Sequence, residues 1–129
     1  MLRPIHFEIH ADNPERAVKF YTDVFGWKFE RWTGWENYWV VYTGAKDTPG
    51  IDGGLMKRMG PPPADGQAVN AFVCTMDVSS VDDHLKKISA AGGSPCVPKM
   101  AIPGMAWLAY CKDTEGNMFG IFQEDPNAK

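Results

Sequence analysis

Three ionisable side chains alternate in the segment HFEIHA near the start of the chain. In a strand from His6 to Ala11, His6, Glu8 and His10 fall on one face and the apolar residues on the other. A half-buried carboxylate in mid-strand needs a hydrogen-bonding partner, which either histidine could supply. Glu8 and His6 are therefore our candidate general base and acid. The alternative is that both histidines only form local hydrogen bonds on a cavity wall or surface.

Metal binding is the other chemistry open to these side chains. Residues two apart on a strand are about 6.6 Å apart along it, which can suit one ion, whereas residues four apart are separated by about 13 Å. His6 and His10 therefore cannot reach the same ion, although Glu8 and one histidine could with help from elsewhere. We predict no resident metal or other cofactor, and a divalent ion held through His6 is the less favoured alternative.

A capped helix follows the first strand. Asp12 or Asn13 can accept hydrogen bonds from the first turn, Pro14 suits the first helical position, and Gly26 is a natural stop. Apolar residues recur at helical spacing in between, so we predict a helix over 14–25. Predicted strands cover 27–32, 38–43 and 51–59, the last with a glycine pair that indicates a bulge or a close backbone approach.

The second half repeats this order after a proline-rich linker at 61–66. A predicted strand over 69–76 precedes a helix capped by Ser79 or Ser80 and ended by two glycines. Three further strands are predicted over 94–99, 106–112 and 117–123, the first broken by its two prolines. We therefore expect one domain, 1–129, made of two modules at about 1–60 and 67–129. Two such repeats are expected to pack on each other around a cleft.

Aromatic residues are the candidates for lining that cleft. Trp39 and Tyr42 in the first half match Trp107 and Tyr110 in the second, with the same internal spacing. A cavity with polar groups on one wall and aromatic groups on the other suits an amphipathic or aromatic small molecule. The alternative for each aromatic residue is simple core packing. The predicted ligand-binding residues are His10, Trp39, Tyr42, Met105, Trp107 and Phe122.

Composition narrows the class of partner. The 129 residues carry a net charge of −3 without a local basic cluster, which argues against nucleic-acid binding. No apolar run is long enough for a bilayer, and the first residues lack a signal core, so we expect no membrane association and a cytoplasmic location. Three cysteines without close spacing are expected to be reduced thiols.

Three segments together resemble the vicinal oxygen chelate superfamily, which includes glyoxalase I, bleomycin-resistance proteins and extradiol dioxygenases. They are HFEIHADNPERAVKFYTDVFGW, GIDGGLMKR and KDTEGNMFGIFQED. The resemblance covers nearly the whole chain. It implies an α+β fold of two paired βαβββ modules, whose mixed sheets form an open half-barrel around a cavity, and it implies a homodimer.

The same resemblance implies metal ligands on the first and last strands of each module. His6 matches one of these positions. The others fall close to Ala71, at about Gly120 and at Gly53-Gly54, and none of these residues can act as a side-chain ligand. This departure argues against the metal chemistry usual in the superfamily.

We therefore predict a glyoxalase-like small-molecule binding protein, or an enzyme that uses Glu8 and His6 without the usual metal ligands. One alternative is a metal-dependent lyase, isomerase or dioxygenase of the glyoxalase type. Another is a drug-sequestering resistance protein. Whether the protein is an enzyme stays open at this point.

Overall fold

The computed structural model describes residues 2–129. They form two compact units, with the division of the chain between Pro62 and Pro63, and each unit contains one helix and one open four-stranded sheet. The first unit contains β1 (His6–Ala11), α1 (Pro14–Phe25), β2 (Lys28–Arg31), β3 (Tyr38–Tyr42) and β4 (Asp52–Lys57). The second contains β5 (Thr75–Asp77), α2 (Val81–Ala90), β6 (Ser94–Ile102), β7 (Ala106–Lys112) and β8 (Met118–Glu124). The predicted α+β fold of two βαβββ modules is confirmed.

Local sequence signals place α1 where they predict it. The Asn13 side chain accepts a hydrogen bond from the Arg16 backbone N–H at 3.2 Å, so Asn13 is the N-cap. Gly26 ends the helix with a φ of +70°, a left-handed conformation that glycine adopts without strain. Ala17, Phe20 and further apolar residues of α1 are buried against the sheet.

The first sheet has the order β1-β4-β3-β2, with β1 parallel to β4 and the other pairs antiparallel. Its helix-side face is identified by Phe7, whose ring lies 5.8 Å from that of Trp27. Trp27 in turn stacks on Tyr21 of α1 at 5.0 Å. The opposite face of this sheet, which carries His6, Glu8 and His10, is called here the open face.

The glycine pair of β4 marks a close approach, because both residues are regularly paired and form no bulge. A Cβ atom on Gly53 would lie 2.5 Å from the backbone carbonyl oxygen of Phe7. On Gly54, facing the other way, it would lie 1.8 Å from the hydroxyl oxygen of Tyr38. Each glycine therefore makes room on a different face of the sheet.

The second sheet has the order β5-β8-β7-β6 and repeats the mixed arrangement of the first. Its helix α2 begins after Ser80, whose side chain accepts a hydrogen bond from the backbone N–H of Asp83. The helix-side face of this sheet carries buried Ala109, Cys111 and Ile121. An open sheet edge remains on both β5 and β6.

Two strands predicted in the second unit are present with different bounds. The strand predicted over 69–76 covers only Thr75–Asp77, where the ladder with β8 begins at Thr75, and Val69 and Phe72 before it are exposed. The strand predicted over 94–99 runs to Ile102. Its prolines are accommodated because β6 is an edge strand with two shifts in register against β7.

A candidate ligand-binding face on the first sheet

Strand alternation places the ionisable residues of β1 on the open face. His6, Glu8 and His10 are exposed, whereas Ile9 between them and Ala11 after them are buried on the helix side. The polar side chains are thus held by a strand whose other face is fixed in the core. The register of β1 against β4 cannot slip by one residue without exchanging these two faces.

Two hydrogen-bonded pairs form on this face. Nε2–H of His10 donates to Oε1 of Glu8 at 2.9 Å. Nε2 of His6 lies 3.1 Å from the hydroxyl oxygen of Tyr38, and the hydroxyl is the donor when that nitrogen carries no proton. The sequence left both histidines open as partners of Glu8, and the structure pairs Glu8 with His10.

Tyr38, like Trp32 and Trp35 beside it, is absent from the site residues predicted from the sequence. It opens β3 and is only 8% exposed, although it lies among exposed neighbours. Burial raises the pKa of its hydroxyl, and the nearby charge of Glu8 raises that pKa further. The hydroxyl therefore stays protonated and remains able to donate to His6. Gly54 was the available signal, because a glycine opposite an aromatic strand indicates a side chain lying across the sheet.

The loop between β2 and β3 adds an aromatic platform formed by Trp32, Trp35 and Tyr38. The centroids of Trp32 and Trp35 are 5.4 Å apart, and Tyr38 lies 5.8 Å from the first and 5.4 Å from the second. All three contacts are edge-to-face, which favours association of aromatic rings. Trp32 is 43% and Trp35 60% exposed, so the platform presents apolar surface to solvent.

Tyr42 lies on the same open face, and Trp39 does not. Tyr42 is partly exposed, and its hydroxyl donates to Glu30 at 3.3 Å. The Glu30 charge is the main cause that raises the pKa of Tyr42, followed by burial. Trp39 is paired with Leu55 on the helix side, where the Arg31 guanidinium lies 4.7 Å from its ring centroid. These two predicted lining residues therefore cannot contact one ligand on the same side of the sheet.

The predicted residues of the second sheet are also divided between its faces. Trp107 is paired with Gln123, whose side-chain oxygen accepts a hydrogen bond from the first backbone N–H of α2, so both lie on the helix side. Phe122 is the next residue along β8 and points the other way. Met105 lies in the turn before β7 and is 55% exposed.

Two polar contacts hold the Trp107 ring. The Lys99 ammonium lies 4.5 Å from the ring centroid, and the indole N–H donates to Asp125 at 2.9 Å. The Asn127 backbone N–H is the main cause that lowers the pKa of Asp125, and the indole N–H lowers it further. Trp107 is thereby held as a structural residue on the helix side of its sheet.

The sequence comparison assigns the chain to a family. Residues 3–121 match the family model described as glyoxalase/bleomycin resistance protein/dioxygenase superfamily. The chain belongs to this superfamily. A search of curated proteins finds no significant match in sequence.

Solved structures share the fold of this superfamily member at low identity. A glyoxalase-related enzyme from Fulvimarina pelagi is 17% identical with a TM-score of 0.72, over 100% of this chain and 98% of the other. The fosfomycin resistance protein FosX from Listeria monocytogenes is 12% identical with a TM-score of 0.72, over 97% and 94%. TioX from Micromonospora sp. ML1 is 21% identical with a TM-score of 0.64, over 95% and 99%.

The residues at the superfamily's metal positions do not fit a metal in this chain. His6 is present, but its Nε2 is hydrogen-bonded to Tyr38, whose hydroxyl fills the space over Gly54. At Gly120, a Cβ atom would lie 2.7 Å from the Thr75 hydroxyl oxygen. Across residues 2–129, no three His, Cys, Asp or Glu side chains are grouped so that they could hold an ion. Neither helix in residues 2–129 has the length and apolar character of a membrane-spanning helix.

Proposed function

We propose that this superfamily member binds an amphipathic, aromatic small molecule on the open face of its first sheet. One observation supports the proposal. Exposed tryptophan rings lie on the same face as the hydrogen-bonded pairs His6–Tyr38 and His10–Glu8, and Tyr38 contacts both the tryptophan rings and His6. Rings of a ligand would stack on Trp32 and Trp35. Its polar group would then meet His6 and Glu8.

The ionisable pairs also allow proton transfer to a bound ligand. Glu8 is a carboxylate that accepts from His10, so it can take a proton from a ligand carbon or oxygen acid as a general base. In its protonated form, in which Nε2–H donates to the Tyr38 hydroxyl oxygen, His6 can return a proton as a general acid. Solvent then re-protonates the neutral imidazole and takes the proton that Glu8 accepted. This chemistry needs no metal, in accord with the missing donor side chains at Gly54 and Gly120.

Ligand screening with matched variants tests the binding site. Thermal-shift and tryptophan-fluorescence titrations with planar aromatic acids, amines and phenols would identify a binder of the wild-type protein. Trp35→Ala should weaken such a binder three- to ten-fold, about the effect of one aromatic contact. The control is Phe72→Ala, which removes a fully exposed aromatic ring from the second unit. Equal affinity in wild type and Trp35→Ala would refute the proposed face.

Metal analysis separates this function from a metal-dependent lyase, isomerase or dioxygenase. The protein would be purified without chelators and analysed by inductively coupled plasma mass spectrometry. We expect less than stoichiometric divalent metal, and turnover of any substrate found should survive treatment with a chelator. A tightly bound equivalent of metal, whose removal abolishes turnover, would establish the metal-dependent function instead.

We also propose a homodimer in the cytoplasm. Many members of the superfamily form dimers, and the exposed apolar side chains of Leu2, Ile5 and Phe72 offer surface for a second copy. Cys74 and Cys96 are exposed free thiols, which suit a reducing compartment. Light scattering coupled to size-exclusion chromatography would give the mass in solution, where a monomer at micromolar concentration would refute the dimer. Fractionation of the host cell would test the location.

A further inference from the structure

Tyr38 and Gly54 are complementary in shape across two neighbouring strands. The tyrosine ring lies over the glycine, so that a Cβ atom at position 54 would lie 1.8 Å from the hydroxyl oxygen and 2.3 Å from ring carbon Cζ. No other side chain can occupy position 54 while Tyr38 stays in place. The hydroxyl at the far end of this ring is the atom that contacts Nε2 of His6.

We infer that Tyr38 is a positioning residue, which couples the Trp32–Trp35 platform to the imidazole of His6. The inference deepens the proposed function, on which its relevance to a ligand rests. Tyr38 contacts both tryptophan rings on one side and His6 on the other. A ligand that reorders the platform would therefore move the hydroxyl that holds His6.

The contacts on each side explain why the coupling runs through this residue. His6 is an exposed side chain on a strand, so its ring would be free to rotate without a partner. Tyr38 is buried and has edge-to-face contacts with both tryptophans, so its ring has little freedom. One fixed ring thus passes its orientation to a second ring through one hydrogen bond.

Chemical labelling of the histidines tests the contact without any ligand. Diethyl pyrocarbonate acylates unprotonated imidazole nitrogen, and mass spectrometry of peptides would resolve the rates at His6 and His84, the latter as an internal reference. Tyr38→Phe should raise the labelling rate of His6 about five-fold, the change in population that one neutral hydrogen bond produces. Rates measured across several pH values would separate lost contact from altered protonation.

Two further variants make the result specific. Gly54→Ala should raise the His6 rate as Tyr38→Phe does, because the new methyl group displaces a tyrosine that is still present. Tyr42→Phe removes a hydroxyl from the same face that is bonded to Glu30, and should leave His6 unchanged. An unchanged rate in Tyr38→Phe, or an equal rise in Tyr42→Phe, would overturn the inference.

Nuclear magnetic resonance supplies the second readout. Long-range ¹H–¹⁵N spectra of the imidazoles should show Nε2 of His6 as a hydrogen-bond acceptor in the wild type, and as a solvated nitrogen in Tyr38→Phe. Unchanged ¹⁵N shifts would refute the contact even if labelling rates differ. Both readouts are independent of ligand, so a failure to find any binder would refute the proposed function and leave the Tyr38–His6 contact standing.

Discussion

Replacing Gly54 with alanine should destabilise the first unit by displacing Tyr38. The glycine has no left-handed backbone conformation, so alanine fits its backbone and the effect comes from the added methyl group. That group would lie 1.8 Å from the hydroxyl oxygen of Tyr38, far inside any van der Waals contact. The ring must therefore leave its place over the strand.

The expected magnitude follows from the contacts that are lost. Strain or movement from an added core methyl costs about 1–3 kcal/mol, and the lost hydrogen bond to His6 costs about 1 kcal/mol. Alanine returns about 0.5–1 kcal/mol, because it has less backbone freedom than glycine to lose on folding. We expect Gly54→Ala to lower the free energy of unfolding by about 1–3.5 kcal/mol. Urea unfolding followed by circular dichroism measures this difference.

A double-mutant cycle isolates the cause. In a Tyr38→Ala background the methyl group meets no ring, so Gly54→Ala should be neutral or stabilising by about 0.5 kcal/mol. Gly53→Ala is the matched control, because its methyl group would collide with the backbone carbonyl of Phe7. Its cost should therefore be the same with or without Tyr38. If Gly54→Ala is equally costly in both backgrounds, Tyr38 does not lie over Gly54 and the reasoning fails.

Three further predictions concern other contacts. Trp35→Ala should lower the free energy of unfolding by about 1 kcal/mol, because the 60% exposed ring loses little beyond its two edge-to-face contacts; a loss above about 3 kcal/mol in urea unfolding would make it a core residue. Glu8→Gln should abolish turnover of any substrate found while preserving its affinity and protein stability, because the bond to His10 is exposed; unchanged kcat would remove Glu8 from the mechanism. Because the pKa of Asp125 is lowered in the folded protein, its carboxylate stabilises the fold at pH values above the ordinary pKa of 3.8. This stabilisation is lost as the pH falls below that value. Asp125→Asn should therefore flatten the pH dependence of stability at acid pH, and the Trp107 indole N–H resonance should shift; an unchanged slope would contradict this.

Local signals predicted the first unit well. The ends of α1 could be predicted because their signals are local: the N-cap residue, the proline at the first position and the terminal glycine all lie within or beside the helix. The alternation of His6, Glu8 and His10 likewise needed only the period of a strand. Their exposure on one face followed from the burial of their neighbours.

Pairing between distant strands could not be predicted in the same way. The apolar alternation before Thr75 is typical of a strand, but a strand forms only where a neighbour pairs with it, and the ladder with β8 begins at Thr75. Trp39 and Tyr42 cannot line one wall of a cavity, because their odd spacing places them on opposite faces of β3. Gly54 signals that some side chain crosses β4, but that this side chain is Tyr38 depends on the register of β3 against β4, which only the structure shows.

The helix-side faces of the two sheets share one feature. In each unit a cationic side chain lies over a tryptophan ring: Arg31 over Trp39 in the first, and Lys99 over Trp107 in the second. The sequence distance from Arg31 to Lys99 equals that from Trp39 to Trp107. An ancestral module that was copied once would leave such a matching pair in its scaffold. The opposite faces of the two sheets could then diverge freely, and that of the first sheet gained titratable groups beside tryptophan rings. A new binding specificity could accordingly be engineered on the second sheet by substituting residues on the face opposite its helix, while the helix-side face stays unchanged.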